Sequence, residues 1–570
     1  MNGILQPHIM AGQDSSGRSL EQAVSRLLLH RGWINVQLIG GSGDKKADIL
    51  AVRRRKGSKL FDSYLVQVKS VAGDRHISVD AINEGVEAQT HYKTNVIIVA
   101  TNGDFTPSAV KRKDTLKRVG FNVQLWNGAT LKDLLSRKKG SSSAGKRELR
   151  EYQRTIVADI LSRQRDGYTE CSAIVATGLG KTVIAATVAN TLHRRREGFG
   201  KILVVCHSLE LVNQLQQAFW AEIDKEVPTH LCRQGVPVVP REGISFVLYQ
   251  SLFPALGGLD RDAFDLIIVD EAHHALAPQF SACLTHLKPR FLLGMTATPW
   301  RGDSQRLTQR FGESVAKLSL LDGVKMGYLA KVDYRLKCDN IRWDEVRKLA
   351  KTKVTIKDLN RRLFVPQRDA AVLDALMKVR ETVKNPRVII FSPSKKHAEA
   401  FAKKLTGRGV PARNLSVTDT FTRRRRLLAF AAGQLEAVTA VDVLNEGIDV
   451  PAVNILVFLR ATHSRRIFTQ QLGRGLRIIE GKKTKVVVLD FVSDIRRLAI
   501  VREFDREARD KPSGAQDEVV HLPDGVVTFD NERVGKFVDA WLEDVTSLDE
   551  DDDDSVLTFP DDDFLMESGE

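Results

Sequence analysis

Behind Ser19, apolar residues recur at helical spacing (Leu20, Ala23, Val24, Leu27, Leu28), and Ser19 stands three residues before Gln22 as in a capping box, so the pattern predicts an amphipathic helix. The period then changes. Ala47 to Val52 and Tyr64 to Lys69 are two β runs around a basic Lys-Gly-Ser-Lys turn, which is the pattern of a hairpin. Centring the hairpin near Ser58 puts Asp48 opposite Val68, with Gln67 and Lys69 on one face flanking that point. A helix from Val79 to Tyr92, a strand from Asn95 to Thr101, a helix opened by Phe105-Thr106-Pro107, a strand from Val123 to Trp126 and a short helix follow. Residues 138–147, rich in Lys, Gly and Ser, break this pattern as a flexible linker.

Beyond the linker an amphipathic helix starts at Leu149, and apolar strand-like runs recur: Ala173 to Ala176, Ile202 to Cys206, Phe246 to Leu252, Asp265 to Val269, a run reaching Leu293, and Arg387 to Ser392. Strands alternating with helices make the chain an α/β protein, and 570 residues suffice for about three or four domains. The composition, 42% apolar and 28% charged, is that of a globular protein. No apolar run approaches a bilayer span and Met1 to Leu20 lacks the pattern of a signal peptide, so a cytoplasmic location without membrane partners is expected. Five widely spaced cysteines form no Cys-x-x-Cys pair and read as reduced thiols rather than a disulfide frame or zinc site. Net charge is +15, yet residues 543–570 hold thirteen acids and no base, leaving +28 on the remainder. That surplus suggests a polyanionic partner.

Asp48, Gln67 and Lys69 converge on the hairpin, and a carboxylate, an amide oxygen and a lysine so placed suit metal-assisted phosphodiester hydrolysis. Asp48 would bind Mg²⁺, Gln67 would complete or orient the ligand set, and Lys69 would steady the attacking hydroxide or the developing charge. The hairpin resembles the PD-(D/E)xK nucleases, specifically the Mrr-like restriction endonucleases. In that branch Gln commonly replaces the second acid, and a first-helix Glu assists, a role the resemblance gives to Glu21 beside the apolar stripe of its helix.

Ala173 to Ala186 reads as a strand, a glycine turn and a helix start. Gly178 and Gly180 let backbone N–H groups turn inward on a polyphosphate, Lys181 would reach the β- and γ-phosphates, and Thr182 would hold Mg²⁺. Val175 stands where the strict loop pattern has glycine. A second apolar run ends in Asp270-Glu271-Ala272-His273, where Asp270 would hold Mg²⁺ through water and Glu271 would activate the attacking water. With Thr296-Ala297-Thr298-Pro299, these segments look like superfamily 2 helicases of the DEAH type, particularly the ResIII-like motors of restriction enzymes. The resemblance implies two RecA-like parallel-sheet lobes, ATP as cofactor and DNA as track. It gives Gln153 the adenine, Asp449 the ribose or loop junction, and Arg474 and Arg477 the γ-phosphate. His273, Thr296, Thr298, Gly447 and Gln470 would couple hydrolysis to lobe movement.

Domain limits follow: an arm at 1–17, an Mrr-like endonuclease at 18–137, the linker at 138–147, a first lobe at 148–320, a joining segment at 321–370, a second lobe at 371–505, a further segment at 506–542 and the acidic tail at 543–570. Arg423 to Arg426 precede a helix of the second lobe, as structural or backbone-binding charge, and Arg347 to Arg362 is a further basic stretch. The tail reads as disordered and is open as a DNA-mimicking brake, a docking peptide for a partner protein, or a solubilising segment. The expected function is ATP-driven translocation on duplex DNA coupled to Mg²⁺-dependent endonuclease activity, with a restriction-type defence role implied by the resemblance. A repair or remodelling helicase whose N-terminal domain binds without cutting, and an RNA-stimulated ATPase clamp, stay open beside it.

Overall fold

The structure is a computed structural model. It describes residues 4–459 apart from short stretches, chief among them 12–16, 40–46, 56–60, 137–147, 233–237, 298–306, 338–344, 364–368 and 442–451, and beyond 459 mainly 471–478, 485–491, 527–529 and 556–558. Two compact units result, one of residues 1–174, 180–317 and 419–434, the other of 175–179, 318–418 and 435–570.

In the first unit, helix α1 (Arg18–His30) leads into β1 (Ile34–Leu38), β2 (Ile49–Arg54) and β3 (Phe61–Lys69), followed by α2 (Val79–Tyr92), β4 (Val96–Thr101), α3 (Pro107–Arg118), β5 (Val123–Trp126) and α4 (Gly128–Ser136). The strands lie side by side in chain order; β1 to β3 are antiparallel, β3 to β5 parallel. Strand β2 is buried from Ile49 to Val52 because both faces are covered. Ile49 and Ala51 pack with the Leu20, Val24 and Leu27 stripe of α1, while Leu50 and Val52 pack with Ala81, Ile82 and Tyr92 of α2.

Two expectations are corrected here. Helix α1 begins at Arg18 with Gly17 as its N-cap and no side-chain cap: Gly17 at φ 68° aims its carbonyl at the Glu21 N–H (3.2 Å), so the box on Ser19 is not used. The hairpin pairs Ile49 with Val66 and Leu50 with Leu65, a register centred between Gly57 and Ser58. A centre at Ser58 would have set Ile49 opposite Gln67, so half a residue in the turn's centre is a whole residue in register, and just before β2 the Asp48 N–H donates to the Val66 carbonyl (3.3 Å).

The same unit holds a seven-stranded sheet. After α5 (Glu151–Arg165) come β6 (Glu170–Val175), α6 (Lys181–Arg195), β7 (Lys201–Cys206), α7 (Leu209–Glu222), β8 (Thr229–Cys232), β9 (Gly243–Leu248), β10 (Leu266–Asp270), β11 (Phe291–Thr296) and β12 (Ser314–Leu318), in the order β8-β9-β7-β10-β11-β6-β12. The run expected from Phe246 to Leu252 divides, since β9 ends at Leu248 and a short helix covers Tyr249–Leu252. Strands β7 and β10 are continuous apolar runs because they are central parallel strands, buried on both faces. Buried Arg26 of α1 donates to the carbonyls of Asp224 (2.8 Å) and Val227 (3.0 Å) just beyond α7, tying the two sheets of this unit together.

In the second unit β13 (Lys331–Lys337), β15 (Val388–Phe391), β16 (Ala412–Asn414), β17 (Ala437–Ala440), β18 (Ile455–Phe458), β19 (Lys485–Phe491) and β20 (Val527–Phe529) form a parallel sheet in the order β16-β17-β15-β18-β19-β13-β20, with β14 (Lys353–Thr355) outside it. Strand β14 pairs antiparallel with β21 (Val556–Thr558). The expectation of disorder in the tail therefore fails at those three residues, whose Val-Leu-Thr composition favours a strand.

Between β16 and β17 in the chain, helix α8 (Thr420–Ala432) belongs to the first unit. Asp419 caps it by accepting from the Phe421 and Thr422 N–H groups, and Gly433 at φ 89° ends it. Leu428 enters the core beneath α2, and Phe421 meets Tyr92 edge-on at 4.7 Å. Arg423 to Arg426 lie inside this helix rather than before it, and Arg424 donates to the Ile39 carbonyl (3.2 Å), a structural contact. The linker 138–147 lies outside the described residues, as do Trp300 and Arg301. Among the described residues, no helix is long and apolar enough to cross a membrane, and Cys171, Cys206, Cys232 and Cys283 are buried free thiols.

Candidate active sites

The nucleotide site grows from the end of β6. After Val175 the chain turns through Gly178 (φ 90°) and Gly180 (φ 87°), conformations that favour glycine, and enters α6 at Lys181. Gly180 is doubly required: a Cβ there would sit 2.5 Å from the Gln153 amide nitrogen, so Gln153 rests against the loop. That amide is itself held, because its oxygen accepts from the Arg150 N–H (3.0 Å) at the start of α5. Thr182 is the second residue of α6, partly exposed. The helix N-terminus and the loop N–H groups together make an anion seat.

Strand β10 delivers Asp270 at its last position, and Glu271 follows at φ 50°, a conformation unusual for a non-glycine residue and costing about 1–3 kcal/mol. That turn brings its Oε1 to 2.9 Å from Lys181 Nζ; the two side chains are 16% and 11% exposed. Burial pushes the Asp270 carboxyl up to about 6, with the charge of Glu271 adding to the effect. Burial would raise Glu271 as well, but Lys181 and His273 outweigh it and hold that carboxyl well below its usual range. His273 shares Nδ1 with Thr296 Oγ1 (3.0 Å, both buried), joining the end of β10 to the end of β11. His274 and His207, to which the sequence pattern assigns no role, extend this cluster: the rings of His273 and His274 are 4.3 Å apart, those of His274 and His207 4.0 Å.

Arg477 lies in the second unit, its backbone bridged to Leu329. Thr298, Gly447, Asp449, Gln470 and Arg474 lie outside the described residues.

The second site is on the five-stranded sheet. Gln67 and Lys69 share a face of β3 with Leu65, which packs towards α2, and Asp48 stands one residue before β2. Asp48 Oδ2 accepts from the Val68 N–H at 2.6 Å, fixing the carboxylate against β3. Gln67 is 3% exposed, and among the described residues its Oε1 is a buried acceptor with no hydrogen-bond donor. A buried orphan oxygen on the strand whose Val68 N–H holds the Asp48 carboxylate suits a hard divalent cation, so the chemistry of these residues fits one. Lys69 Nζ lies 2.6 Å from Glu84 Oε2 of α2, an ion pair by distance, although the carboxylate oxygen is not placed to accept a hydrogen bond. Glu21 sits half-buried in the first turn of α1.

Glu84 is absent from the candidates that the sequence pattern suggests. The signal was present: it flanks the sheet-facing stripe Ala81, Ile82, Gly85, Ala88 as Glu21 flanks the stripe of α1.

Residues 13–135 match the restriction endonuclease family model Mrr_cat, residues 146–301 the model ResIII, described as type III restriction enzyme, res subunit, and residues 369–479 the helicase conserved C-terminal domain. The type I restriction enzyme EcoAI endonuclease subunit of Escherichia coli is 24% identical over 543 residues, covering 83% of this chain and 65% of its own length. IRC3 of Saccharomyces cerevisiae, whose name makes it a candidate ATP-dependent helicase, is 24% identical over 357 residues, 60% of this chain. The chain spans 51% of that relative's length. Among solved structures, the ATP-dependent Type ISP restriction-modification enzyme LlaBIII bound to DNA aligns with a TM-score of 0.49 at 16% identity, over 94% of this chain and 42% of its own.

Proposed function

We infer, for a chain that carries an N-terminal restriction-endonuclease domain followed by ResIII and helicase C-terminal domains, that ATP hydrolysis drives movement along duplex DNA and serves an Mg²⁺-dependent endonuclease. The observation that carries the reading is the Lys181–Glu271 pair at the glycine loop. In the free site each charge neutralises the other. When the β- and γ-phosphates enter the loop, Lys181 transfers to them, and Glu271 is released to accept a proton from water. The water oxygen bonds to the γ-phosphorus as the bond from that phosphorus to the bridging oxygen breaks, giving ADP and phosphate. Thr182, and Asp270 through water, would hold Mg²⁺, which would offset charge on the phosphate oxygens. Gln153 orients the base, Asp449 the ribose or loop junction, and Arg474 and Arg477 meet the γ-phosphate. The His273–Thr296 contact passes the change to β11, with Thr298, Gly447 and Gln470 in the same coupling role.

At the second site Asp48 and Gln67 would hold Mg²⁺, which would supply positive charge at the scissile phosphate, while Lys69 steadies the attacking hydroxide and Glu21 assists. The hydroxide oxygen bonds to phosphorus, the bond to one ribose oxygen breaks, and that oxygen takes a proton from solvent. The endonuclease extends over 18–137, the lobes over 148–320 and 371–505 with 321–370 between them, and the role is restriction of foreign DNA in the cytoplasm. The acidic stretch 543–570 serves as a docking segment for a protein partner. A non-cutting remodelling helicase is the second reading, favoured by the amide of Gln67 where a second carboxylate would bind metal more firmly.

The test is plasmid DNA carrying different base modifications, incubated with ATP and Mg²⁺ beside Lys181→Ala and Asp48→Ala. Cleavage lost in both variants, with ATP hydrolysis lost only in the first, is expected. Cleavage that survives Asp48→Ala overturns the nuclease assignment, and a wild type that hydrolyses ATP but never cuts establishes the second reading.

A further inference from the structure

We propose that Glu84 is the positioning residue for Lys69, supplying from α2 the second carboxylate that β3 does not carry. The inference rests on the nuclease reading of Asp48, Gln67 and Lys69. Three features lead to it. Lys69 Nζ and Glu84 Oε2 are 2.6 Å apart, and among the described residues that oxygen, shielded from solvent, accepts no hydrogen bond, so the Lys69 charge beside it is its counter-charge. The approach of helix to sheet is built for this reach: Gly85, the next residue, faces β4, where a Cβ would sit 2.9 Å from Ile97 Cγ2. Ala81 and Ala88, one turn to either side on the same buried stripe, keep α2 close along its length. Finally, the neighbouring position on β3 holds a neutral amide, so the local acids are Asp48, fixed by the Val68 N–H, and Glu84, drawn to Lys69.

A lysine on a four-carbon stem with three rotatable donors has no preferred direction of its own. Glu84 supplies that direction, holding Nζ on the face of β3 that carries the Gln67 amide. It leaves the bond changes of hydrolysis untouched, and acts through Lys69.

The test is a double-mutant cycle on the full chain. Plasmid nicking at saturating Mg²⁺ is measured for wild type, Glu84→Ala, Lys69→Ala and the double variant, with Glu84→Gln as the variant that keeps an acceptor oxygen. Glu84→Ala is expected to slow nicking about 10-fold or more, Glu84→Gln less, and Glu84→Ala to change nothing further once Lys69 is Ala. A helix-packing role would lower the rate in both backgrounds and would lower the unfolding midpoint, which here stays put, as does ATP hydrolysis. Binding of Ca²⁺ alone, followed by calorimetry, is expected to be unchanged in Glu84→Ala; if it is lost, Glu84 is a metal ligand and the positioning role is overturned. Wild-type nicking rates in Glu84→Ala also overturn it. A wild type that does not nick, or a Lys69→Ala protein that nicks at the wild-type rate rather than at a low residual one, overturns instead the nuclease reading beneath it.

Discussion

Each candidate site parks a lysine on a glutamate, and the two pairs differ in how they are enclosed. Lys181 opens the helix that follows β6 and Glu271 follows the last residue of β10, both beside a sheet of parallel strands, and both side chains are nearly buried. Lys69 and Glu84 join a strand to the helix lying over it, with about a third of each side chain exposed. In the first pair little solvent reaches either partner, so a ligand of matching charge is what would separate them, and in the proposed reading that ligand is the nucleotide. In the second, water screens the attraction, and what the pair gives is direction rather than stored energy. Around the enclosed pair, burial and then the charge of Glu271 raise Asp270, while Lys181 and His273 hold Glu271 down, whereas the nuclease face leaves a different mark, the orphaned oxygen of Gln67.

The comparison breaks most readily at Lys181. Replacing it with Ala should reduce DNA-stimulated ATP hydrolysis by about 10²-fold or more, since the phosphates lose their cation and Glu271 its partner, as a phosphate-release assay would record. Asp48→Ala should cut nicking by about as much while ATP hydrolysis stays within about 2-fold, because the two sites lie on different sheets. Next comes Gln67→Glu: if the orphan oxygen is a ligand position, a full charge there should lower the Mg²⁺ concentration needed for half-maximal nicking by about 10-fold.

Arg26→Met tests the mount between the sheets. It leaves two carbonyls beyond α7 without donors and should cost about 1–3 kcal/mol, read as a lower midpoint in urea. The smallest effect concerns pH. With its carboxyl raised to about 6, Asp270 holds a proton below that value, and the proton competes with Mg²⁺. Taken alone, this raised group favours the folded state at low pH, and that contribution fades as pH rises through about 6, above its ordinary value of 3.8. The Mg²⁺ required for half-maximal ATP hydrolysis should therefore be several-fold higher at pH 5.5 than at pH 7.5.

Elements with a repeating pattern are legible in the order of residues alone. The span Val79–Tyr92 and the strand Val123–Trp126 appear with the ends the pattern predicts, because Ser78 and Thr106 cap the helices around them and the strands are short blocks between turns. Register is less legible: alternation says which residues share a face, but whether Ile49 meets Val66 or Gln67 depends on where the turn centres. Least legible are contacts between distant segments. Nothing in Thr420–Ala432 announces that Leu428 fills a core built from residues before 125, and the four arginines there draw attention to charge instead.

The order of residues along the chain thus fixed the chemistry on offer: the glycine loop with Lys181 and Thr182, the Asp270-Glu271 strand end, and the Asp48, Gln67, Lys69 hairpin, each assembled from neighbours or from adjoining strands. Which group each lysine touches was decided by folding. Glu271 is ninety residues from Lys181 in the chain, and its reach depends on a left-handed turn that no propensity predicts. Glu84 reaches Lys69 because a glycine lets its helix settle against the sheet. Periodicity is local, since it reports which face of an element is buried, whereas the partner of a charged side chain depends on which other face that burial brings near.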